Sequence, residues 1–312
     1  MEERYCELGD VSLCFQEFGA DRGGEPLLLI MGLGAPMIAW PTGFCEQLVE
    51  AGFDVVRFDN RDVGRSTVLH DAGVPRRRDT LAGRKVAARY SLSEMARDAV
   101  GLLDHMGFAK AHVVGASMGG MIAQVLAIEH PDRVLSLTSI MSTTGRKTVG
   151  CPHPGALRMM AKEPPTGKGL EAEIEHFVQF FRSVGSRGSL FEEDVIRALA
   201  EEALTRGSSR AGTMRQLAAI TTTPDRTRAL RHLKVPALVI HGTIDRLVHV
   251  SGGRATARAI PGSTYLEFAD MGHDLPSALW PQMVASISAL ARSAPAPSGP
   301  ARPEAADAVS PG

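Results

Sequence analysis

Short hydrophobic runs alternate with helical patterns along most of the chain. Residues 26–30 form a continuous apolar run, which is typical of a strand buried on both faces of a sheet, and 53–58 (FDVVRF) repeat the pattern. Further runs of this kind occupy 112–115, 135–141, 235–240 and 264–268. Residues 4–19 predict two short strands joined by a hairpin at Gly9 and Asp10.

Segments whose apolar residues recur at helical intervals lie between several of these predicted strands. Apolar residues recur at helical intervals over 91–107, and Ser91 followed by Glu94 predicts a capping box at the start of that helix. Residues 118–129 are mostly apolar and stop before Pro131, which predicts a buried helix. Strands that alternate with helices predict an α/β fold with a doubly wound, mostly parallel sheet.

The alternation breaks between 145 and 228. This segment has no clear buried strand, and its patterns at 171–184 and 192–205 favour helices. A last amphipathic helix is predicted over 277–292, and the following residues are rich in Pro, Ala and Gly. We therefore expect a core formed by 1–144 and 229–292, a helical cap formed by 145–228, and a disordered tail at 293–312.

Composition narrows the class of protein. The 312 residues include 34 Lys and Arg against 35 Asp and Glu, and this balance argues against a nucleic-acid partner. Four cysteines without a C-x-x-C motif indicate neither a zinc site nor a disulfide framework. No signal peptide or apolar stretch of membrane-spanning length is evident, so we expect a cytoplasmic protein without a membrane partner. A homo-oligomer is left open.

The sequence at 115–119, GASMG, matches the G-x-S-x-G pattern of a nucleophilic serine. An apolar strand precedes it and an apolar helix follows, so the chain must turn sharply at Ser117. Only small residues at Gly115 and Gly119 would fit such a turn, which lifts the serine hydroxyl above the sheet. The alternative, a glycine-rich turn without chemistry, is disfavoured by this strand–helix context.

A serine nucleophile needs a base, and His273 is the best of ten histidines. It follows the last predicted strand, where the ends of parallel strands gather catalytic groups. His241, at the end of the preceding strand, is its main rival. His112 lies within a strand and His130 ends a helix, so both are expected to be structural.

The acid that orients the histidine is expected to be Asp245. It lies in the loop beyond the strand at 235–240, and the order along the chain is then Ser117, Asp245, His273. A lone loop aspartate would ordinarily begin a turn. Asp274 neighbours the histidine in sequence but is expected to point away from it.

Hydrolysis also requires donors for the oxyanion that forms during attack. The N–H of Met118, directly after the nucleophile, is one candidate, and the N–H of Leu33 in the turn after 26–30 is the other. A weaker hypothesis is an apolar substrate pocket under the cap, which core packing explains equally well. Its candidate residues are Gly32, Met37, Trp40, Met141, Met159 and Met160.

Two charged stretches are interpreted as structural. The basic stretch formed by Arg76, Arg77, Arg78, Arg84, Lys85 and Arg89 is expected to be a solvated loop face rather than a site for anionic substrates. The segment DNRDVGRS, with Asp59, Arg61 and Gly64, is expected to brace a loop.

The segments IMGLG, FDNRDVGRS, GASMGG, HGTIDRLV and MGHDLP together resemble the α/β-hydrolase superfamily over about residues 1–292. Within it, MGLGAPMIAWP, FDNRDVGRS and MGHDLP resemble the anthracycline (aclacinomycin) methylesterase-like group of bacterial hydrolases. The resemblance implies an α/β-hydrolase fold and a serine esterase with Ser117, Asp245 and His273 as its triad. It also implies Leu33 and Met118 as oxyanion donors. Many members carry His-Gly where this chain has Met31-Gly32, which removes a polar anchor from that loop.

The sequence thus predicts a cofactor-free, metal-free hydrolase of small-molecule carboxylic esters. The same triad would also suit a polyketide-type thioesterase or acyl transferase, a prolyl aminopeptidase-like enzyme, or a peracid-forming, haloperoxidase-like enzyme. From a different class, a ligand receptor on the same scaffold remains an alternative. The cap carries no motif that identifies the natural ester.

Overall fold

The computed structural model describes residues 2–76, 80, 88–162, 165, 167–207 and 209–294. Four members of the predicted basic stretch, Arg77, Arg78, Arg84 and Lys85, lie outside these residues, and so does nearly all of the predicted tail. The two remaining arginines of the basic stretch, Arg76 and Arg89, are exposed.

Eight strands of the described residues form one sheet in the order β1-β2-β4-β3-β5-β6-β7-β8. The strands are β1 (Arg4–Leu8), β2 (Val11–Phe18), β3 (Glu25–Ile30), β4 (Phe53–Phe58), β5 (Ala111–Ala116), β6 (Val134–Ile140), β7 (Ala237–Gly242) and β8 (Thr264–Phe268). The pairings of β1 with β2 and of β2 with β4 are antiparallel, and all others are parallel. The predicted α/β fold with a mostly parallel sheet is confirmed.

Helices cover both faces of this sheet. They are α1 (Thr42–Glu50), α2 (Leu92–His105), α3 (Met118–Glu129), α4 (Pro154–Ala161), α5 (Leu170–Val184), α6 (Glu193–Arg206), α7 (Arg210–Thr222), α8 (Thr227–Leu230), α9 (Ser251–Ala259) and α10 (Trp280–Ser293). Residues of α2 and α3 belong to one hydrophobic cluster, and residues of α1 and α10 belong to a second cluster on the opposite face. Both clusters include strand residues, so the sheet is buried on its two sides.

Several predicted boundaries agree closely with the structure, and two differ. The capping box of α2 is present, with both Ser91 and Glu94 bonded as expected. Strand β7 begins at Ala237 rather than residue 235, because Pro236 has no N–H to give to a neighbouring strand. The predicted helix at 277–292 is divided into a 3₁₀ turn, Ser277–Leu279, and helix α10. Pro281 lies in the first turn of α10, where a missing N–H has no cost.

The segment between β6 and β7 contains helices α4 to α8 and, among its described residues, no strand. Arg215 on α7 forms a buried ion pair with Asp62 in the loop after β4, at 2.6 Å between Nη2 and Oδ1. Arg206 at the end of α6 pairs with Asp59 in the same loop, at 2.7 Å. These pairs fasten the helical segment to the sheet. The proposed division into core and cap stays a prediction.

The loop after β4 is braced as its sequence suggested. Asp59 is fully buried and accepts hydrogen bonds from the backbone N–H groups of Met37 and Arg65. Gly64 has φ +58°, and a Cβ there would lie 2.3 Å from an Asp59 carboxylate oxygen. Arg61 forms an ion pair with Asp98 on α2. These contacts hold the loop rigidly beside the carboxyl ends of the strands.

Candidate active site

Ser117 occupies the turn between β5 and α3, with φ 56° and ψ −119°. This strained conformation is uncommon for a residue with a side chain. A Cβ on Gly119 would lie 2.0 Å from the Ile30 carbonyl oxygen, and one on Gly115 would lie 2.2 Å from the Gly119 oxygen. The two glycines are therefore required by the close approach of backbone to backbone, as the sequence pattern predicted.

The structure brings the three predicted catalytic side chains together. The Ser117 hydroxyl lies 3.0 Å from Nε2 of His273, and Nδ1 of His273 lies 2.7 Å from Oδ2 of Asp245. Their loops follow β5, β7 and β8, which are parallel, so all three emerge at one edge of the sheet. The arrangement can pass a proton from a hydroxyl to an imidazole whose other nitrogen faces a carboxylate.

Asp245 is held from two sides. Its Oδ1 accepts hydrogen bonds from the N–H groups of Leu247 and Val248, at 2.8 and 2.9 Å, while Oδ2 faces His273. Burial opposes ionisation of this carboxyl, but the charge of His273 and hydrogen bonds from His241 and His273 outweigh it and lower its pKa to about 2. The carboxylate is therefore ionised throughout the neutral pH range.

His273 is placed by the end of α5 and by the residues that follow it. Its backbone N–H donates to the Val184 carbonyl at 2.8 Å, and the neighbouring Gly272 N–H donates to the Ser186 hydroxyl at 2.9 Å. His273 as a whole is only 8% exposed. The conformation of the histidine loop thus depends on the helical segment as well as on the sheet.

The alternative candidates for base and acid, His241 and Asp274, have other partners. His241 is fully buried, and its Nε2 lies 2.8 Å from the Val248 carbonyl and 3.4 Å from Asp245. Asp274 binds the N–H and hydroxyl of Ser186 instead of the histidine that precedes it, in agreement with its expected direction. Neither residue is bonded to Ser117 among the described contacts.

Two further histidines have the structural settings expected of them. His112 on β5 joins the Ser136 hydroxyl at 2.8 Å to a Glu25 carboxylate at 3.0 Å. Burial lowers the pKa of His112, which favours its neutral form, although the Glu25 carboxylate opposes this effect. His130 ends α3, with its N–H bonded to the Leu126 carbonyl.

The two residues predicted to supply oxyanion donors, Leu33 and Met118, belong to segments that lie next to Ser117. A Cβ on Gly32 would be 3.1 Å from Ser117 Cβ, so the turn containing Leu33 passes close to the serine. Met118 is the first residue of α3, where backbone N–H groups have no partner within the helix. Their roles as donors stay predictions.

A cavity of about 420 Å³ opens at this edge of the sheet, with Ser117 and His273 in its wall. Most of its lining is apolar. Helices α5 and α6 contribute Phe177, Phe180, Phe181, Val195, Ile196 and Leu199. The core contributes Met31, Gly32 and Met141, among others. The polar groups in its wall include Glu173, Glu192, Arg210 and Asp274.

The structure places some of the predicted pocket residues in the cavity wall and others elsewhere. Gly32, Met141 and Met160 line the cavity, but Trp40, Met37 and Met159 do not. Trp40 is fully buried and stacks on Phe44 with ring centroids 5.7 Å apart, so it belongs to the core. Met159 is one position before Met160 on α4, and one residue turns a helix by about 100°.

Sequence reasoning missed the three phenylalanines of the cavity wall. Phe177, Phe180 and Phe181 have the spacing of three and four residues that places side chains on one helix face. That spacing within 171–184 was a usable signal for an aromatic surface.

Metal sites and membrane-spanning helices are both absent from the described part of the chain. There, no group of three or more His, Cys, Asp or Glu side chains is arranged to hold a metal ion. None of the helices described combines the length and apolarity that a bilayer crossing requires.

Comparison with known proteins decides the family. The family model for the alpha/beta hydrolase fold matches residues 25–276. The chain belongs to the α/β-hydrolase family. Among other members, rhodomycin D methylesterase DnrP of Streptomyces peucetius is 31% identical over 94% of this chain and 99% of that protein.

Solved α/β-hydrolase structures are similar in fold. The enol-lactonase from Burkholderia xenovorans has a TM-score of 0.70 at 23% identity, covering 92% of this chain and 99% of that one. A thermophilic esterase from Thermogutta terrifontis has a TM-score of 0.65 at 24% identity, covering 94% and 98%. The family and its methylesterase relative together support the expectation of ester hydrolysis.

Proposed function

We propose that this protein hydrolyses carboxylic esters, with Ser117 as nucleophile, His273 as general base and acid, and Asp245 as the orienting carboxylate. The observation that carries the proposal is the unbroken chain of contacts from the hydroxyl to Nε2 at 3.0 Å and from Nδ1 to the carboxylate at 2.7 Å. It lies in the wall of an apolar cavity large enough for an organic ester.

In the first half of the reaction the Ser117 oxygen attacks the ester carbonyl carbon. Nε2 of His273 takes the hydroxyl proton, and Asp245 stabilises the resulting imidazolium. The carbonyl oxygen becomes an oxyanion and accepts hydrogen bonds from the N–H groups of Leu33 and Met118. When the tetrahedral intermediate collapses, the C–O bond to the alcohol breaks and His273 returns its proton to that alcohol.

The second half repeats these steps with water. His273 removes a proton from the water as its oxygen attacks the acyl carbon bound to Ser117. Collapse of this second intermediate breaks the acyl–serine bond, and the proton held by His273 returns to the serine oxygen. The products are the free acid and the regenerated enzyme. The triad accounts for every proton that is transferred, and the two backbone donors stabilise the oxyanions.

The cavity wall favours an ester whose acid part carries aromatic rings. Phe177, Phe180 and Phe181 present aromatic surface to the cavity, and such surfaces stack on planar rings. A relative over nearly the whole chain is named as a methylesterase of rhodomycin D. We therefore propose methyl esters of multi-ring aromatic acids as the substrate class.

Release of p-nitrophenol from short p-nitrophenyl esters tests the reaction. We expect clear turnover by the natural protein and a loss of about 10⁶ in kcat for Ser117→Ala, as in other triads. Ser286→Ala is the matched control, because this hydroxyl lies outside the cavity lining and bonds within α10. Turnover by Ser117→Ala close to that of the natural protein would refute the proposal, and absence of turnover by the natural protein would favour the receptor alternative.

The substrate class has its own test. Methyl esters of acids with one to four fused rings are compared as substrates of the natural protein and of Phe181→Ala. One aromatic contact contributes about 0.5–1.5 kcal/mol beyond burial, so we expect KM for the multi-ring esters to rise about tenfold and KM for p-nitrophenyl acetate to stay unchanged. Leu157→Ala, an exposed residue outside the cavity lining, is the control. Equal KM values across ring number would contradict the aromatic substrate class.

A further inference from the structure

The turn that carries the Leu33 N–H has no polar side chain of its own. We name residues 31–35, with the sequence MGLGA, the oxyanion turn. Its internal hydrogen bond, from the Ala35 N–H to the Gly32 carbonyl, is long at 3.4 Å. The position of the Leu33 N–H must therefore be fixed by groups outside the turn.

Two side-chain amides hold the oxyanion turn at either side of the Gly32–Leu33 peptide. The Asn60 Nδ2 donates to the Met31 carbonyl at 2.9 Å. The Gln216 Oε1 accepts a hydrogen bond from the Gly34 N–H at 2.8 Å. The peptide that bears the proposed donor thus lies between two anchored peptides.

Gln216 belongs to α7, in the helical segment between β6 and β7, and is fully buried. Its Nε2 also donates to the Arg61 carbonyl at 2.8 Å, so both ends of the amide are used. One turn earlier on α7, Thr213 packs against the same peptide: a Cβ on Gly34 would lie 2.7 Å from its hydroxyl. The helix therefore contacts the oxyanion turn closely.

We propose that Gln216 is a positioning residue for the oxyanion hole, through which helix α7 sets the place of the Leu33 N–H. The inference rests on the proposed ester hydrolysis and deepens it. Catalysis then requires α7 to be packed in this position, because the helix that contributes to the cavity wall also positions one of the two N–H donors of the oxyanion hole.

Loss of the Gln216 amide is expected to destabilise the transition state and to leave binding of the ground-state ester unchanged. Loss of an oxyanion donor lowers kcat by about 10²–10³, and displacement of a donor that is still present lowers it less, by about 10–100-fold. The ground-state ester makes little use of this donor, so KM is expected to stay within about twofold.

The experiment compares Gln216→Met, which has a similar volume and no amide, with Thr222→Ala on the same helix. Thr222 is exposed, and its hydroxyl bonds only to carbonyls of α7, so its variant controls for loss of a helix contact.

Two ketone probes distinguish binding of the ground state from binding of the tetrahedral oxyanion. Trifluoroacetophenone adds to the serine oxygen to give a tetrahedral oxyanion, with the hydroxyl proton passing to His273, whereas acetophenone binds without this bond.

For Gln216→Met we expect kcat and the affinity for trifluoroacetophenone to fall by the same factor, with the affinity for acetophenone unchanged. Equal weakening of the binding of both ketones, or a kcat within twofold of that of the natural protein, would overturn the inference about Gln216. The proposed function would still stand in that case if Ser117→Ala is inactive. An active Ser117→Ala would instead overturn the proposed function.

Gln216→Glu provides a second test of the role of Gln216 if Gln216→Met does not fold. Its carboxylate retains an acceptor for the Gly34 N–H and loses the donor to the Arg61 carbonyl. We expect this variant to keep trifluoroacetophenone affinity within about tenfold of the natural protein. Loss of affinity for both ketones together would contradict a specific role in the oxyanion hole.

Discussion

Replacement of Asp245 by asparagine tests how the carboxylate controls His273. Oδ1 of Asp245 accepts two backbone N–H groups, from Leu247 and Val248, while Oδ2 faces Nδ1 of His273. An asparagine must place its carbonyl oxygen on one side and its NH₂ group on the other. The carbonyl will face the two N–H donors, because the reverse orientation leaves both of them buried without an acceptor.

The NH₂ group of the introduced asparagine would then face Nδ1 of His273, and the imidazole would have to accept there and carry its proton on Nε2. In this tautomer Nε2 cannot accept the proton of Ser117. The reverse amide orientation costs about 1–3 kcal/mol for each unsatisfied N–H, so the productive tautomer is rarely populated. A loss of about 10⁴ in kcat, equivalent to about 5 kcal/mol of activation free energy, is expected.

The assay is kcat/KM for a p-nitrophenyl ester across neutral pH, with circular dichroism and thermal melting as checks that the variant is folded. Asp245→Glu is not a suitable control because it moves the carboxylate, so the comparison is with Asp274→Asn, which alters the neighbouring carboxyl bound by Ser186. We expect Asp274→Asn to lose far less activity. A folded Asp245→Asn with activity within tenfold of the natural protein would refute the reasoning.

Three further predictions concern stability. Arg215→Met leaves Asp62 as an unpaired buried charge, and we expect the free energy of unfolding in urea to fall by about 3–5 kcal/mol; a change below about 1 kcal/mol would show that the pair is not needed. Ser91→Ala removes the cap of α2 and should lower the same quantity by about 1 kcal/mol, whereas an unchanged value would mean that the capping box contributes nothing. The folded-state pKa of Asp245, about 2 against an ordinary 3.8, means that its stabilisation is complete above about pH 4 and is lost as the pH falls towards 2. The melting temperature of the natural protein should therefore fall more steeply over this range than that of Asp245→Asn, and parallel curves would contradict the assigned pKa.

Local patterns were sufficient to predict the sheet and the sharp turn that carries Ser117. Strand β3 and helix α3 are apolar along most of their length, and residues buried on every side leave that signature in a sequence. The GASMG segment was also decisive, since backbone contacts at Gly115 and Gly119 leave no room for a side chain. Order along the chain then selected the partners that the structure places beside Ser117.

The lining of the cavity could not be predicted in the same way. Trp40 and Met31 are both buried apolar residues in the loop region after β3, and only three-dimensional packing decides that Met31 also reaches the cavity wall whereas Trp40 does not. Gln216 was missed for a related reason. It lies 182 positions from Gly34 in the chain, and no periodic pattern reports a single hydrogen bond between such distant residues.

Labelling with a fluorophosphonate tests the central claim most directly. The serine oxygen displaces fluoride from phosphorus, and the covalent adduct is located by mass spectrometry of the digested protein. We predict one modified site, Ser117, with labelling slowed strongly in His273→Ala because the base that takes the hydroxyl proton is gone. Modification of another residue, no modification of the folded protein, or undiminished labelling of His273→Ala would contradict the account.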